Sequence, residues 1–179
     1  VGARRFSITA IRDQDALLAV SDRFEQFPYG LLLWESAVAL AAVLLAGRFP
    51  LAGRRVLEIG AGVGLAGIAA RAAGADVVQT DHEPLALAIA RRNARANGIG
   101  GIRQRLADWR AWPPLGRFDL IVAADVAYDA ATHDDILRVL EASLVPGGTA
   151  LFTDPCRTAT PALIRCLERV RYHPTVARV

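Results

Sequence analysis

The chain has 179 residues, 53% hydrophobic and 22% charged, which suits one globular domain with a real core and excludes a disordered or low-complexity chain. All 21 basic residues are arginine, against 18 acidic ones and a net charge of +3. The absence of lysine reads first as codon bias, and the arginines are scattered, with a cluster at Arg91, Arg92 and Arg95 and a looser group at Arg103, Arg105 and Arg110, which weighs against a nucleic-acid-binding face.

Cys156 and Cys166 offer no disulfide framework, and His82, His133 and His173 are too dispersed for a metal cluster. Reduced, buried thiols in a cytoplasmic protein are expected. The longest apolar run is broken at Trp34, Glu35 and Ser36 and is too short to span a bilayer, and no signal-peptide pattern is present. No methionine occurs, position 1 included, so a start upstream of Val1 is expected.

In chain order, residues 6–11 read as a short strand, 28–30 as a turn and 34–46 as an apolar helix covering a sheet. Strands are expected at 56–60, 76–81, 102–107, 118–125 and 148–153. Helices are expected at 62–73, 83–97, 132–143 and 161–170, the second with Pro84 in its first turn and Gly98 as its stop. This alternation predicts an α/β fold: a doubly wound, mostly parallel, Rossmann-like sheet with helices on both faces. We expect one domain, residues 1–50 forming an N-terminal helical cover and 51–179 the core. Such a sheet binds its ligand beyond the carboxyl ends of its strands, near the point where strand order reverses.

The strongest motif is EIGAGVGLAG, residues 58–67. A strand runs into closely spaced glycines and then a helix, so the backbone can turn sharply and come close to a ligand. Gly62, Gly64 and Gly67 match the dinucleotide fingerprint. Glu58 with Gly60, Gly62 and Gly64 matches the E-x-G-x-G-x-G loop of S-adenosylmethionine (SAM) enzymes, and this match begins at the strand end itself. An acidic residue inside the strand also suits an amino-acid moiety better than a pyrophosphate, so SAM is favoured over a dinucleotide. Asp81 ends the next strand, where a carboxylate can accept from both ribose hydroxyls or cap the following helix. Asp108 and Trp109 follow the third strand, suited to the adenine amino group and ring face or to a turn and the core.

Together these strand ends resemble the seven-β-strand SAM-dependent methyltransferases, in particular the protein-lysine methyltransferases acting on chaperones, elongation factors or the electron-transfer flavoprotein β subunit. The resemblance covers residues 28–155, through PYGLLLWESAVALA (28–41), the glycine loop and ADVAYD (124–129). It implies that Trp34 helps close the cofactor pocket and that Asp125 and Tyr128 lie beside the donated methyl, one orienting a lysine amine and the other walling its channel. The implied cofactor is SAM, leaving as S-adenosyl-L-homocysteine, and the implied cofactor residues are Trp34, Glu58, Gly60, Ala61, Gly62, Gly64, Leu65, Asp81, His82, Asp108, Trp109 and Ala124. No metal is needed, because SAM carries the reactive methyl. A protein partner is implied, without membrane or nucleic acid; an N-P-P-Y-like sequence, frequent in enzymes acting on base amines, is replaced by Asp125-Val126-Ala127-Tyr128. The chain departs from the family in offering only residues 172–179 after its last helix, so the C-terminal hairpin is expected to be incomplete. The segment Asp154-Pro155-Cys156-Arg157 loosely resembles a turn of bacterial relatives. Methylation of a small, nicotinamide-like amine and non-catalytic SAM binding are the alternatives.

Overall fold

A computed structural model describes residues 4–12 and 28–178. Five strands, β1 (Arg55–Ile59), β2 (Asp76–Asp81), β3 (Arg103–Leu106), β4 (Phe118–Ala124) and β5 (Leu144–Thr153), form one sheet in the order β3-β2-β1-β4-β5. Every neighbouring pair is parallel. The α-helices among the described residues are α1 (Glu35–Leu45), α2 (Leu65–Ala72), α3 (Pro84–Ala96), α4 (His133–Ser143) and α5 (Thr160–Arg169). The expected α/β, Rossmann-like fold is present. Strand order runs outward from β1 to β3 and then returns to β4, so the reversal lies between β1 and β4, where a ligand crevice opens.

Strand side chains alternate between faces, and in the central strands β1 and β4 both faces are buried, so these read as largely continuous apolar runs. Leu57, Ile59, Ile121 and Ala123 pack with Ile136 and Leu140 of α4 and Leu163 and Leu167 of α5. Val56, Val77, Leu120 and Val122 pack with Leu40 and Leu44 of α1 and Ala66 and Ala70 of α2. The alanines let α2 approach the sheet closely. Phe118 is fully buried at the start of β4, with the Arg55 guanidinium 5.0 Å from its ring centre; burial of such a ring stabilises by roughly 1.5–3 kcal/mol.

Several expectations need correction. Residues 6–11 form no strand in the sheet; apart from a bridge between Ile11 and Leu32, their backbone pairs with asparagine side chains. The N–H groups of Ser7 and Thr9 donate to Asn97 Oδ1 and Asn93 Oδ1, both at 2.8 Å, and the two amides donate back to the Ser7 and Thr9 carbonyls. Two residues of extended chain and four of helix both advance about 6–7 Å, so α3 imitates a neighbouring strand.

Helix α2 starts at Leu65 rather than residue 62, because Gly62 and Gly64 hold left-handed loop conformations. Strand β5 starts directly after α4, and its register against β4 slips between Phe118 and Leu120. Pro146 has no N–H for the ladder there, so the regular pairing begins at Thr149. Residues 172–178 carry no strand, and among the described residues β5 is one edge of the sheet, β3 the other. Both cysteines are free, but Cys156 is exposed and Cys166 half-buried, because Cys156 lies in the turn after β5 and not in the core. Among the described residues no helix is long and apolar enough to cross a membrane.

Candidate active site

The glycine loop leaves β1 at Gly60, whose φ of 62° favours glycine. A Cβ there would lie 2.9 Å from Val126 Cγ1 and 3.4 Å from the Trp109 ring. The loop therefore fits closely against the turn that follows β4. At Gly62 a Cβ would lie 3.1 Å from the Gly30 carbonyl, so the turn at Tyr29–Leu31 comes down on the loop from the other side. Asn93 of α3 donates to the Val63 carbonyl at 2.9 Å and fixes the loop's far limb.

Two carboxylates support this loop from inside. Glu58 is buried in β1, and its Oε2 accepts from the Gly67 N–H at 3.0 Å and from Gln79 Nε2 at 2.7 Å. Gln79 also donates to the Gly64 carbonyl at 2.9 Å. Glu58 is thereby committed to the loop's framework. Burial pushes its acid up to about 7, opposed by the bonds from Gln79 and Gly67 and slightly reinforced by the Asp81 charge. Asp81, buried at the end of β2, accepts from the Gly62 N–H at 2.8 Å through Oδ2 and from the Glu83 N–H at 2.9 Å through Oδ1. It thus holds the loop and the entry to α3 together; the helix cap proper is Glu83, which accepts from Leu85 N–H. A carboxylate has about four lone-pair sites, so Asp81 keeps acceptor capacity for further donors.

Beyond β3, Asp108 starts a short turn, accepting from the Arg110 backbone N–H at 2.9 Å and gripping its guanidinium at 2.7–3.2 Å. The Arg110 side-chain bonds are the main reason its acid lies below the usual carboxylate range. A cavity of about 280 Å³ opens beside it, lined by His82, Leu106, Ala107, Asp108, Ala111 and Pro113. Trp109 packs on the core and edges against Gly60. Ala61 is buried, with its N–H on the Thr80 carbonyl. Leu65 is buried against Ala41 and Ala69, and half-buried Ala124 ends β4, opposite Thr153.

At the end of β4, Asp125 turns out of the strand with φ 55°, a left-handed conformation uncommon outside glycine. Its N–H is held by the Thr153 carbonyl at 2.8 Å. Its buried carboxylate receives a two-pronged guanidinium: Arg157 Nε to Oδ1 at 2.9 Å and Nη2 to Oδ2 at 2.8 Å. Arg157 also lies 5.5 Å from the centre of the Trp34 ring. Trp34 donates its indole N–H to the Tyr29 carbonyl at 3.0 Å. Tyr29 in turn meets the Trp34 ring at 6.2 Å and the Tyr128 ring at 5.8 Å, both tilted. Tyr128 is half exposed.

The expected residues thus collect at three places: Glu58, Gly60, Ala61, Gly62, Gly64 and Asp81 around the loop, His82 and Asp108 at the cavity, and Trp34, Asp125 and Tyr128 at the ends of β4 and β5. Sequence reading did not single out Gln79, Asn93, Tyr29 or Arg157 for the site. Tyr29 lies in the 28–41 stretch that carries the resemblance, and Arg157 also carried a signal: Asp154 Oδ1 accepts the Arg157 N–H at 2.7 Å, the aspartate-led turn that the D-P-C-R segment suggests.

Comparison with known proteins bears on this geometry. Residues 12–168 match a family model described as lysine methyltransferase. The chain is 34% identical over 170 residues to a protein N-lysine methyltransferase, METTL21A, of Danio rerio, covering 90% of this chain and 76% of that protein. It is 39% identical over 115 residues to a histone-arginine methyltransferase, METTL23, of Xenopus laevis, covering 61% of this chain but about half (49%) of that one. Among solved structures it is similar to a ribosomal protein L11 methylase of Lactobacillus delbrueckii subsp. bulgaricus, with a TM-score of 0.71, 25% identity, and 83% and 75% of the two chains covered.

Proposed function

The chain belongs to the lysine methyltransferase family, and from that premise we propose that it transfers a methyl group from SAM to a protein lysine amine. The observation that carries this reading is the contact at Gly60. With the position of its missing Cβ 2.9 Å from Val126, the turn bearing Asp125 and Tyr128 rests on the glycine loop.

SAM is the cofactor, and the residues present fit it. The loop turns back at the end of β1 on the positive-φ glycines Gly60, Gly62 and Gly64, Asp81 keeps acceptor capacity at the ribose position, and the cavity beside Asp108 suits a heterocycle. When bound, SAM supplies an electrophilic methyl whose bond to sulfur breaks, leaving its electron pair on sulfur, as the bond from the amine nitrogen forms. The rest falls to the protein. Gly62 and Asp81 position the cofactor, Trp34 walls it, Asp125 orients the amine, and the Tyr29, Trp34 and Tyr128 rings exclude water from the amine's path. Glu58 contributes by shaping the loop.

The half-exposed Tyr128 leaves the acceptor side open, which supports a protein acceptor over a small amine in a closed pocket. Two free cysteines support a cytoplasmic place of action. A second reading, an arginine acceptor, has one specific observation behind it: Asp125 already receives a guanidinium in fork geometry.

The test is incubation with labelled SAM and lysate from the chain's own source, followed by hydrolysis of the labelled band. N-methyl-lysine is expected, methyl-arginine would favour the second reading, and absence of any labelled protein would overturn both. These 179 residues contain no lysine, so the chain alone should give no labelled lysine background. Calorimetry should show SAM binding, and preferential NAD binding would overturn the cofactor assignment.

A further inference from the structure

Asp125 cannot be read as a bare carboxylate waiting for an amine, because a guanidinium already clamps both its oxygens. Resting on the methyl-transfer reading above, we propose that Arg157 is a positioning and charge-compensating residue of the acceptor site. It holds Asp125 in place and offsets its charge, so that the acceptor enters as a neutral amine rather than as a trapped ammonium.

The chemistry demands such a device. Only the unprotonated amine has a lone pair to attack with, yet a lysine amine is an ammonium at neutral pH. An opposite charge within a few ångströms favours the charged form by about 1–3 pH units. A naked Asp125 would therefore bind the acceptor well in its unreactive form. The surroundings would make this worse. The charged and titratable groups around Asp125 include Asp154, Cys156 and Arg157 from the turn after β5, Asp81 from β2, Tyr128 and Asp129 from its own turn, and His133 at the start of α4, whose ring meets the Ala127 carbonyl of that turn at 3.1 Å. Tyr29 lies on the turn before α1, and Glu35 in the first turn of α1, which Thr153 ties to β5 through the Ser36 carbonyl at 2.8 Å. Among these described groups Arg157 is the one permanent cation.

Its placement is built from three sides. The Asp154 carboxylate accepts its backbone N–H, Asp125 takes its fork, and the Trp34 ring lies 5.5 Å from its guanidinium carbon. Asp125 raises the guanidinium's already high affinity for its proton, so Arg157 stays charged at any working pH. Each Asp125 oxygen retains a second lone pair, so the clamped carboxylate can still orient an amine N–H. The ammonium's surplus proton goes to bulk water before the amine seats.

The test compares the wild-type chain with Arg157→Gln and Arg157→Lys, using as acceptor the purified protein labelled in the lysate experiment. In Arg157→Gln, turnover at neutral pH should fall about tenfold and recover in alkaline buffer, the pH–rate midpoint moving up by about one unit or more. The acceptor KM should not rise and SAM affinity by calorimetry should hold, while Arg157→Lys, which keeps the charge but not the fork, should keep the wild-type pH–rate midpoint at a reduced turnover. In Arg157→Gln, a rate lowered by the same factor at every pH, or a parallel loss of SAM affinity, would assign Arg157 to folding or cofactor binding and overturn the proposal. If the wild type labels lysine but the midpoint does not move, only this inference fails; if it labels no protein amine, the functional reading fails and this inference with it. A readout independent of turnover is the NMR signal of the Arg157 Nε–H with S-adenosyl-L-homocysteine bound. It should exchange slowly with water and lose that protection in Asp125→Asn, and exchange as fast as that of solvent-exposed arginines in the wild type would also overturn the clamp.

Discussion

At the ends of β1 and β2 the carboxylates of Glu58 and Asp81 are held largely by backbone N–H groups of the glycine loop and its helix. At the ends of β4 and β5 the carboxylate of Asp125 is held by a side chain, Arg157, and its neighbours are aromatic rings. The first arrangement sets a shape: backbone donors cannot be exchanged without refolding the loop. The second sets a charge balance, and one substitution at a partly exposed arginine can change it. A loop built for one cofactor and an acceptor side able to accommodate different partners would differ in this way.

The largest expected effect lies on the shape-setting side. At Gly67 a Cβ would fall 2.5 Å from Glu58 Oε2 and 2.6 Å from Gln79 Nε2, both buried. Gly67→Ala must push these groups apart and break their bonds, so a loss of about 3–5 kcal/mol is expected from overpacking and unsatisfied polar groups together. Denaturant unfolding reads it directly. An unchanged midpoint would mean that the loop is a local turn rather than part of the core, and the contrast drawn above would collapse.

That contrast also explains what could be read from the sequence. The sheet was legible because both its faces are buried, which makes β1 and β4 continuous apolar runs, and the glycine loop because its backbone geometry demands glycines at fixed spacing. The N-terminal segment was misread as a strand: its alternating pattern is real, but its partners are Asn93 and Asn97 on a helix, a pairing that periodicity does not encode. Arg157 was nearly invisible. One arginine of 21 in a chain without lysine carries no compositional signal, and its importance comes from the tertiary approach of β5 to β4. Gln79 was hidden for the same reason, as a polar residue inside a strand whose partner Glu58 lies on the next one.

Glu58 offers the next test. Its acid is raised from 4.5 to about 7 by burial, so between those values the folded chain binds more protons than the unfolded one. Stability from this group is complete below the unfolded value and is lost as pH rises through about 7. Glu58→Gln can keep the bonds to Gly67 and Gln79 while removing the charge. The variant should therefore gain on the wild type as pH rises across the window, by at most about 3 kcal/mol, in unfolding curves taken at several pH values. Parallel curves would show that Glu58 is not the buried acid that the loop geometry makes it.

On the charge-balancing side, Asp125→Ala should lower turnover roughly a hundredfold, the low end for losing a positioned acid–base or orienting group. The alanine also leaves Arg157 uncompensated, a bare cation facing the amine's entry. SAM affinity, measured by calorimetry, should barely change, because Asp125 is bonded to Arg157 and Thr153 rather than to the glycine loop. A joint fall of affinity and turnover would instead place Asp125 with Asp81 among the loop's supports, and the two regions would no longer be distinct.

The smallest effect is expected at Tyr128. Burial, then Tyr29, then the carboxylates of Asp129, Asp81 and Asp125 all push its hydroxyl above its ordinary value. It therefore stays protonated at working pH and cannot serve as the base that takes the amine's proton. What it offers is a ring, 5.8 Å from that of Tyr29, which keeps the aromatic row continuous from Trp34 outward. Tyr128→Phe retains that ring and should cost about 1 kcal/mol or less, the loss of a single hydroxyl bond at most. Tyr128→Ala removes the wall and should raise the acceptor KM more than it lowers turnover. Steady-state kinetics on the pair of variants separates the two contributions. If Tyr128→Phe proved as severe as Asp125→Ala, the hydroxyl would be bonding the amine directly, and the acceptor would be gripped by two polar groups rather than aimed by one and enclosed by rings.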